Sequence, residues 1–386
     1  MKNHTEKLRS ELNLTSQISK RTTMKKSLLF GLLTALLCTG TIQSQNMDEL
    51  FPVRGFCIGA PDPDHLDAFI EFINNDLTRY AVNTLILRVD YGYQFKSHPE
   101  LIDGNALSPA EVQKIVKACR KNNIRLIPQI NLLGHQSWAG KVNKLLEVYP
   151  EFDETPHVKM PEDYKWPNND GLYCKSYCPL HPGVHKVVFD LVDEICDVFE
   201  SDAFHAGMDE VFYIGEDSCN RCSGHDKAEL FAGEISLIRN HLASKDRTLM
   251  IWGDRLIDGR ATGMGMWEAS MNNTHRAIDM IPKDVFICDW HYERPDQTAV
   301  YFAMKGFRVA TCPWRNPEVG VKQAEDMVRF RNNSTGEMKD RFAGIIQTVW
   351  SSPEQFLKEY NSPGTEQNTA AACFRAVFSR MNTLQP

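Results

Sequence analysis

From about residue 50 to its end the chain alternates short β-rich apolar runs with longer amphipathic stretches, and that alternation restricts the folds open to it. Successive strands joined by helices must lie parallel, and each needs a crossover that packs back on the sheet. Eight strand candidates are readable: Val53–Gly59, Thr84–Asp90, Ile124–Asn131, Ala203–Met208, Thr248–Trp252, Val285–Trp290, Arg308–Pro313 and Gly344–Trp350. Helical spacing of apolar residues marks Asp64–Ile73, Val112–Cys119, His181–Phe199, Ala228–Ala243, Pro317–Phe330 and Thr369–Met381, and Ser108-Pro109 supplies a cap and first turn for the second of these. Eight such units in one stretch point to an α/β chain of the (β/α)8 (TIM) barrel class, with residues 51–386 as a single domain. No Gly-x-Gly-x-x-Gly follows any of the strands, so an open dinucleotide-binding sheet is disfavoured.

The remaining composition sets the surroundings. A net charge of -7 with no basic cluster beyond the leader excludes a nucleic-acid-binding face, and no cofactor is expected. Residues 1–44 read as an N-terminal extension and signal peptide: Lys25-Lys26 precedes the apolar run Ser27–Leu37, Met24 is a plausible start, and Ser44 ends a cleavage site. The expected location is periplasmic or extracellular. Association with a membrane is expected only through a lipid on Cys38, a surface-lipoprotein alternative weakened by bulky Leu37 at the preceding position.

In a barrel of this class the reactive groups gather where strands end. Here the strand ends carry Arg88-Val89-Asp90-Tyr91, Leu133-Gly134-His135, Asp209-Glu210, Trp252-Gly253-Asp254, Asp289-Trp290-His291-Tyr292, Pro313-Trp314-Arg315 and Trp350-Ser351-Ser352, with Arg54 on the first strand. Each Trp alone is best explained by core packing. Four of the 7 tryptophans at strand ends, among charged groups, favour a pocket that stacks on a pyranose ring and hydrogen-bonds its hydroxyls. Adjacent carboxylates at the end of a buried strand repel each other and lose hydration, so Asp209-Glu210 needs a chemical reason.

The segment His205-Ala206-Gly207-Met208-Asp209-Glu210 resembles the His-x-Gly-x-Asp-Glu signature of glycoside hydrolase family 20, the β-N-acetylhexosaminidases. Arg54-Gly55-Phe56 and Leu133-Gly134-His135 are similar to two further family elements, and the compact chain looks most like the hexosaminidase D branch. The resemblance implies exo-acting removal of terminal β-linked N-acetylhexosamine (GlcNAc or GalNAc) from a glycan or glycoconjugate, by a retaining, substrate-assisted route. It implies that Glu210 is the general acid and Asp209 the partner of the acetamido N–H. It further implies that Arg54 holds distal hydroxyls, that His135 and His205 support the pocket, and that Tyr292 donates to the acetamido carbonyl. Trp252, Trp290, Trp314 and Trp350 would enclose the sugar. Departures are Met208, Leu133 in place of proline, and Trp350-Ser351-Ser352-Pro353-Glu354 in place of Trp-x-Glu, which leaves the acidic partner of the distal hydroxyls unassigned.

Two alternatives stand beside this reading: a barrel glycosidase pairing Glu210 with a separated carboxylate such as Asp90, Asp254 or Glu293, and a barrel that binds sugar without cleaving it. The cysteines outside the leader divide into buried thiols (Cys57, Cys119, Cys196, Cys288, Cys312, Cys373) and two polar-loop pairs, Cys174/Cys178 and Cys219/Cys222. Export favours disulfides or free thiols for the pairs, and a structural zinc on all four is the lesser alternative.

Overall fold

The computed structural model describes residues 47–162, 174–362, 364 and 367–384; the leader expected over residues 1–44, with Cys38, lies outside the described residues. Residues 47–50 are helical, and the chain from Phe51 to Leu384 forms one unit. Its eight parallel strands are β1 (Val53–Gly59), β2 (Thr84–Arg88), β3 (Arg125–Leu132), β4 (Ala203–Gly207), β5 (Thr248–Trp252), β6 (Phe286–Trp290), β7 (Val309–Cys312) and β8 (Phe342–Thr348). They close in the order β1-β8-β7-β6-β5-β4-β3-β2, with Cys57 of β1 opposite Thr348 of β8 and Ile86 of β2. The expected (β/α)8 barrel is therefore present.

The main helices of the outer layer are α1 (Leu66–Phe72), α2 (Pro109–Lys121), α3 (Val184–Phe199), α4 (Lys227–Ala243), α5 (Thr298–Met304), α6 (Pro317–Asn332), α7 (Pro353–Asn361) and α8 (Ala370–Met381). Local chemistry explains their starts. Ser108 and Glu111 make a reciprocal capping box at α2, with Ser108 N donating to Glu111 Oε2 at 2.7 Å and Glu111 N to Ser108 Oγ at 3.3 Å. In α3, Val184, Val187, Val188, Leu191, Val192 and Ile195 recur at helical spacing and are all buried. The crossover after β5 differs from the others: it is built of short turns between Asp254 and Asp279 rather than one long helix.

Strand parity divides the residues between two cores. Cys57, Ile86, Ile127, Met250, Cys288 and Ile346 belong to a cluster that fills the barrel interior. The alternate residues face the helices: Phe56 packs on Phe72, Phe356 and Phe374 with ring centroids 5.2 to 5.6 Å apart. The six cysteines expected as buried thiols are buried and free. β8 starts two residues earlier than expected because Gly344, at φ +143, sits in a register shift against β7 that keeps the strand continuous.

Candidate active site

β4 delivers Asp209-Glu210 through a backbone turn that few residues can make. Gly207 and Met208 both have φ near +67, and Glu210 has φ +49. A Cβ on Gly207 would stand 2.3 Å from Asn131 Oδ1, so both space and conformation demand glycine there. Gly134 is required for a different reason: its Cβ would meet the Asp209 carbonyl oxygen at 2.7 Å. The loop after β3 thus closes directly on the loop after β4 and brings His135 to the carboxylates. Glu210 is fixed from below, its backbone N–H donating to Asp254 Oδ2 at 2.9 Å. Arg255 Nε donates to that same oxygen at 2.6 Å and Trp290 Nε1 to the other at 3.3 Å, so both Asp254 oxygens are committed. Left-handed backbone at non-glycine residues costs energy, and this network is what holds it.

The Asp209 and Glu210 side chains share one cation. His135 Nε2 lies 3.2 Å from Asp209 Oδ2 and 3.4 Å from Glu210 Oε2, while Cys174 Sγ lies 3.4 Å from Glu210 Oε2 and 3.6 Å from His135 Nδ1. Burial pushes Glu210 up to about 7, with the Asp209 and Asp254 carboxylates adding to the rise. Asp209 is displaced the opposite way: burial would raise it, but the His135 charge and hydrogen bond take it below the ordinary aspartate range. His135 is held well above the usual histidine range, against the effect of its own burial, by Cys174 and Asp209. Two neighbouring carboxyl groups are thereby given opposite protonation states, one an acid and one an anion. Asp209 Oδ1 is buried and has no hydrogen-bond partner among the described residues. Leaving such an oxygen unsatisfied costs about 1–3 kcal/mol or more, a cost a substrate donor would remove.

The expected aromatic residues gather on the same side of the barrel. Trp290 stacks on Tyr292 at 4.9 Å, Tyr292 meets Trp314 edge-on at 5.4 Å, and Trp252 lies 5.8 Å from Trp350. Trp350 Nε1 donates to Tyr292 Oη at 2.8 Å. Trp252 is wholly buried against His205, with centroids 4.5 Å apart, and both belong to the floor of the mouth rather than its rim. His205 Nδ1 accepts from Gly207 N at 3.1 Å, which props the turn that carries the carboxylates.

Arg54 is not brought to this site. It stands near the start of β1 with the outward parity of Phe56, and its guanidinium donates to the carbonyls of Ala81 at 2.7 Å and Phe51 at 2.9 Å, at the opposite end of the barrel. The expected hydroxyl-binding role therefore does not fit it. Arg88 has what Arg54 lacks, inward parity with Ile86 and a place at the C-terminal end of β2. Its guanidinium lies 4.5 Å over the Trp350 ring, its Nη2 donates to Val349 O at 2.8 Å, and its buried Nε has no hydrogen-bond partner among the described residues. Glu354 does not replace the missing acidic partner, since it pairs with His65 at 3.4 Å in the first turn of α7. Of the alternative carboxylates, Asp254 already accepts from Glu210 N, Arg255 Nε and Trp290 Nε1, Asp90 Oδ1 accepts from Asn131 N at 2.9 Å, and Glu293 is exposed beside Arg315. The four loop cysteines also separate: Cys174 joins the carboxylates, whereas Cys178, Cys219 and Cys222 cluster elsewhere. The sequence places Arg88 among the strand-end groups without a role and Cys174 only in the zinc alternative, although the parity of β2 was available for the first.

The chain is 23% identical over 185 residues to hexosaminidase D of Bos taurus (46% of this chain, 48% of that protein) and 22% identical over 305 residues to a beta-hexosaminidase of Vibrio furnissii (71% and 45%). It spans about half the length of these curated relatives. In fold it is similar to the chitobiase of Flavobacterium johnsoniae (TM-score 0.58, 19% identity, 86% of this chain and 50% of that one) and to a beta-N-acetylhexosaminidase from Bacteroides fragilis (TM-score 0.57, 16% identity, 86% and 66%). Residues 86–360 match the profile of the glycosyl hydrolase family 20 catalytic domain, and the chain belongs to that family.

Proposed function

We propose that the chain is an exo-acting β-N-acetylhexosaminidase that cleaves terminal β-linked GlcNAc or GalNAc from glycans by substrate-assisted, retaining catalysis. The observation that carries this reading is the pair of opposed carboxyl groups: Glu210, pushed up to about 7, beside an ionised Asp209 with one buried oxygen that has no partner among the described residues. Adjacent residues cannot flank a glycosidic bond from both faces, but they can serve two atoms of one sugar. Glu210 gives its proton to the departing glycosidic oxygen as the C1–O bond breaks, and the acetamido carbonyl oxygen forms a bond to C1. Asp209 accepts the acetamido N–H and stabilises the positive charge that the ring gains. Water then attacks C1 from the vacated face, Glu210 takes its proton, and the bicycle reopens to the acetamido sugar with configuration retained. His135, close to both carboxylates, offsets the second negative charge that appears when Glu210 ionises.

The barrel is filled beneath these residues, which suits a terminal sugar entering from the mouth. Tyr292 and Trp350, already hydrogen-bonded to each other, are the expected floor for the acetamido group, and Trp290 and Trp314 the flanking rings. A periplasmic or extracellular location belongs to the same proposal and rests on the apolar run Ser27–Leu37.

The decisive assay uses paired aryl glycosides that differ only at C2. The purified chain should release the aryl group from β-N-acetylglucosaminide or β-N-acetylgalactosaminide and leave the β-glucoside and β-galactoside almost untouched. Equal cleavage of both members of a pair would eliminate substrate assistance, and no cleavage of any would favour a sugar-binding barrel.

Arg88 takes over the hydroxyl-binding part of the proposal. Loss of one charge-assisted hydrogen bond is worth about 1.5–3 kcal/mol, so Arg88→Ala should lower kcat/KM by roughly 10- to 150-fold, mainly through KM. Arg54→Ala should instead lower Tm and leave kcat/KM of the folded protein unchanged. The reverse pattern would return the role to Arg54.

A further inference from the structure

On the far side of the loop that begins with Glu210, three thiols and a carboxylate converge. Cys178 Sγ lies 3.3 Å from Cys222 Sγ and 3.6 Å from Cys219 Sγ, and Glu154 completes a buried group whose four ligand atoms all fall within 4.8 Å of one another. These sulfur separations are far longer than the roughly 2.05 Å of a disulfide. They approach the separation of about 3.8 Å that two thiolates take on a tetrahedral ion with Zn–S bonds of about 2.3 Å.

The fourth group is a carboxylate that points to a cation. Glu154 is completely buried; its Oε1 accepts from Glu216 N at 3.1 Å, and its Oε2 has no hydrogen-bond partner among the described residues. A buried carboxylate oxygen without a donor is costly unless a cation meets it.

We propose that Cys178, Cys219, Cys222 and Glu154 bind a structural zinc ion. Soft sulfur donors select zinc over magnesium or calcium, and four protein ligands leave no open position for catalysis. Binding displaces the thiol protons to solvent, so affinity rises with pH. The ion joins the segment after β3 to the loop after β4. Cys178 is four residues from Cys174, which touches Glu210, and Cys219 follows Glu210 by nine residues, so the metal fixes both walls of the active site without entering it. The ligand set differs from the four-cysteine alternative read from spacing: Cys174 is replaced by Glu154, which carries no motif.

The test is the metal content of the full chain, purified without an immobilised-metal step and measured by inductively coupled plasma mass spectrometry. About one zinc per chain is expected, as for a closed structural site. Cobalt exchanged for it should give sulfur-to-cobalt charge-transfer bands and the intense visible bands of tetrahedral cobalt. Cys222→Ser should lose the zinc and lower Tm, whereas Cys174→Ser should keep it. Should Cys222→Ser fail to fold, zinc release during mercurial titration of the wild-type thiols gives the same answer, with three sulfurs reacting per ion freed. A wild-type chain that stays metal-free after incubation with Zn²⁺ and shows a Cys178–Cys222 disulfide by peptide mapping would overturn the site. Equal loss of zinc in Cys174→Ser and Cys222→Ser would overturn the ligand set, and iron in its place would overturn the choice of metal.

Discussion

Glu210→Gln should lower kcat for an aryl β-N-acetylglucosaminide by roughly 10²- to 10⁴-fold, the usual contribution of a positioned general acid. Glutamine keeps the shape of the side chain, and the backbone anchor from Glu210 N to Asp254 Oδ2 is untouched, so Tm should move little. The size of the loss should depend on the leaving group. A nitrophenolate departs without much protonation, so its hydrolysis should survive better in the variant than that of an alkyl or sugar glycoside, whose oxygen needs the proton as the bond breaks. The pH profile supplies a second readout. The acid works only while protonated, and burial raises Glu210 to about 7, so wild-type kcat/KM should fall as pH climbs through about 7. In the glutamine variant this descending limb should disappear. Asp209, shifted below the ordinary aspartate range, sets a limb on the acid side that the same variant should retain. An unchanged alkaline limb in Glu210→Gln, or a loss independent of leaving group, would remove Glu210 from the acid role.

The placement of these two residues was readable from sequence because its constraints are local. A strand ending in Gly207-Met208-Asp209-Glu210 implies both the turn and the carboxylates, and the Gly134-His135 element implies a close approach that the Asp209 carbonyl explains. The barrel was readable for a related reason: each strand and helix is short, and its apolar period is complete within itself. Arg54 was misplaced because the resemblance to an Arg-Gly segment took precedence over strand parity. Since Cys57 faces the interior, Arg54 must face the helices, and of these two arginines it is Arg88 that combines inward parity with the C-terminal end. Helix α7 is absent from the sequence reading although Ser352 caps it and Pro353 opens it, because Trp350-Ser351-Ser352-Pro353-Glu354 is set there against a sugar-binding Trp-x-Glu element rather than a helix start. Glu154 had no signal at all. Its neighbours Cys178, Cys219 and Cys222 come from two loops separated in sequence, and which side chains meet across them depends on the closure of the barrel.

Asp209→Asn should reduce kcat/KM by roughly 10²- to 10³-fold, comparable with removing one preorganised group that meets developing charge. Asparagine preserves volume, but it carries no negative charge and presents an N–H₂ where Asp209 presents an acceptor. The buried Oδ1, without a partner among the described residues, is the atom expected to receive the acetamido N–H, so the change affects the participating group and leaves the proton donor in place. Two substrate series separate this role from general damage to the site. Successive fluorination of the N-acetyl methyl weakens the carbonyl oxygen as a nucleophile, and the wild-type rate should fall steeply along that series if the carbonyl attacks C1. A thiazoline analogue of the bicyclic intermediate should bind the wild-type protein far more tightly than the product sugar, as mimics of high-energy states do. Asp209→Asn should lose most of that advantage while its affinity for the product changes little, because only the intermediate carries the positive charge that Asp209 stabilises. Glu210→Gln should keep the thiazoline affinity. If Asp209→Asn bound product and thiazoline with equally reduced affinity, Asp209 would be holding the ground state only, and the chain would need a nucleophile of its own.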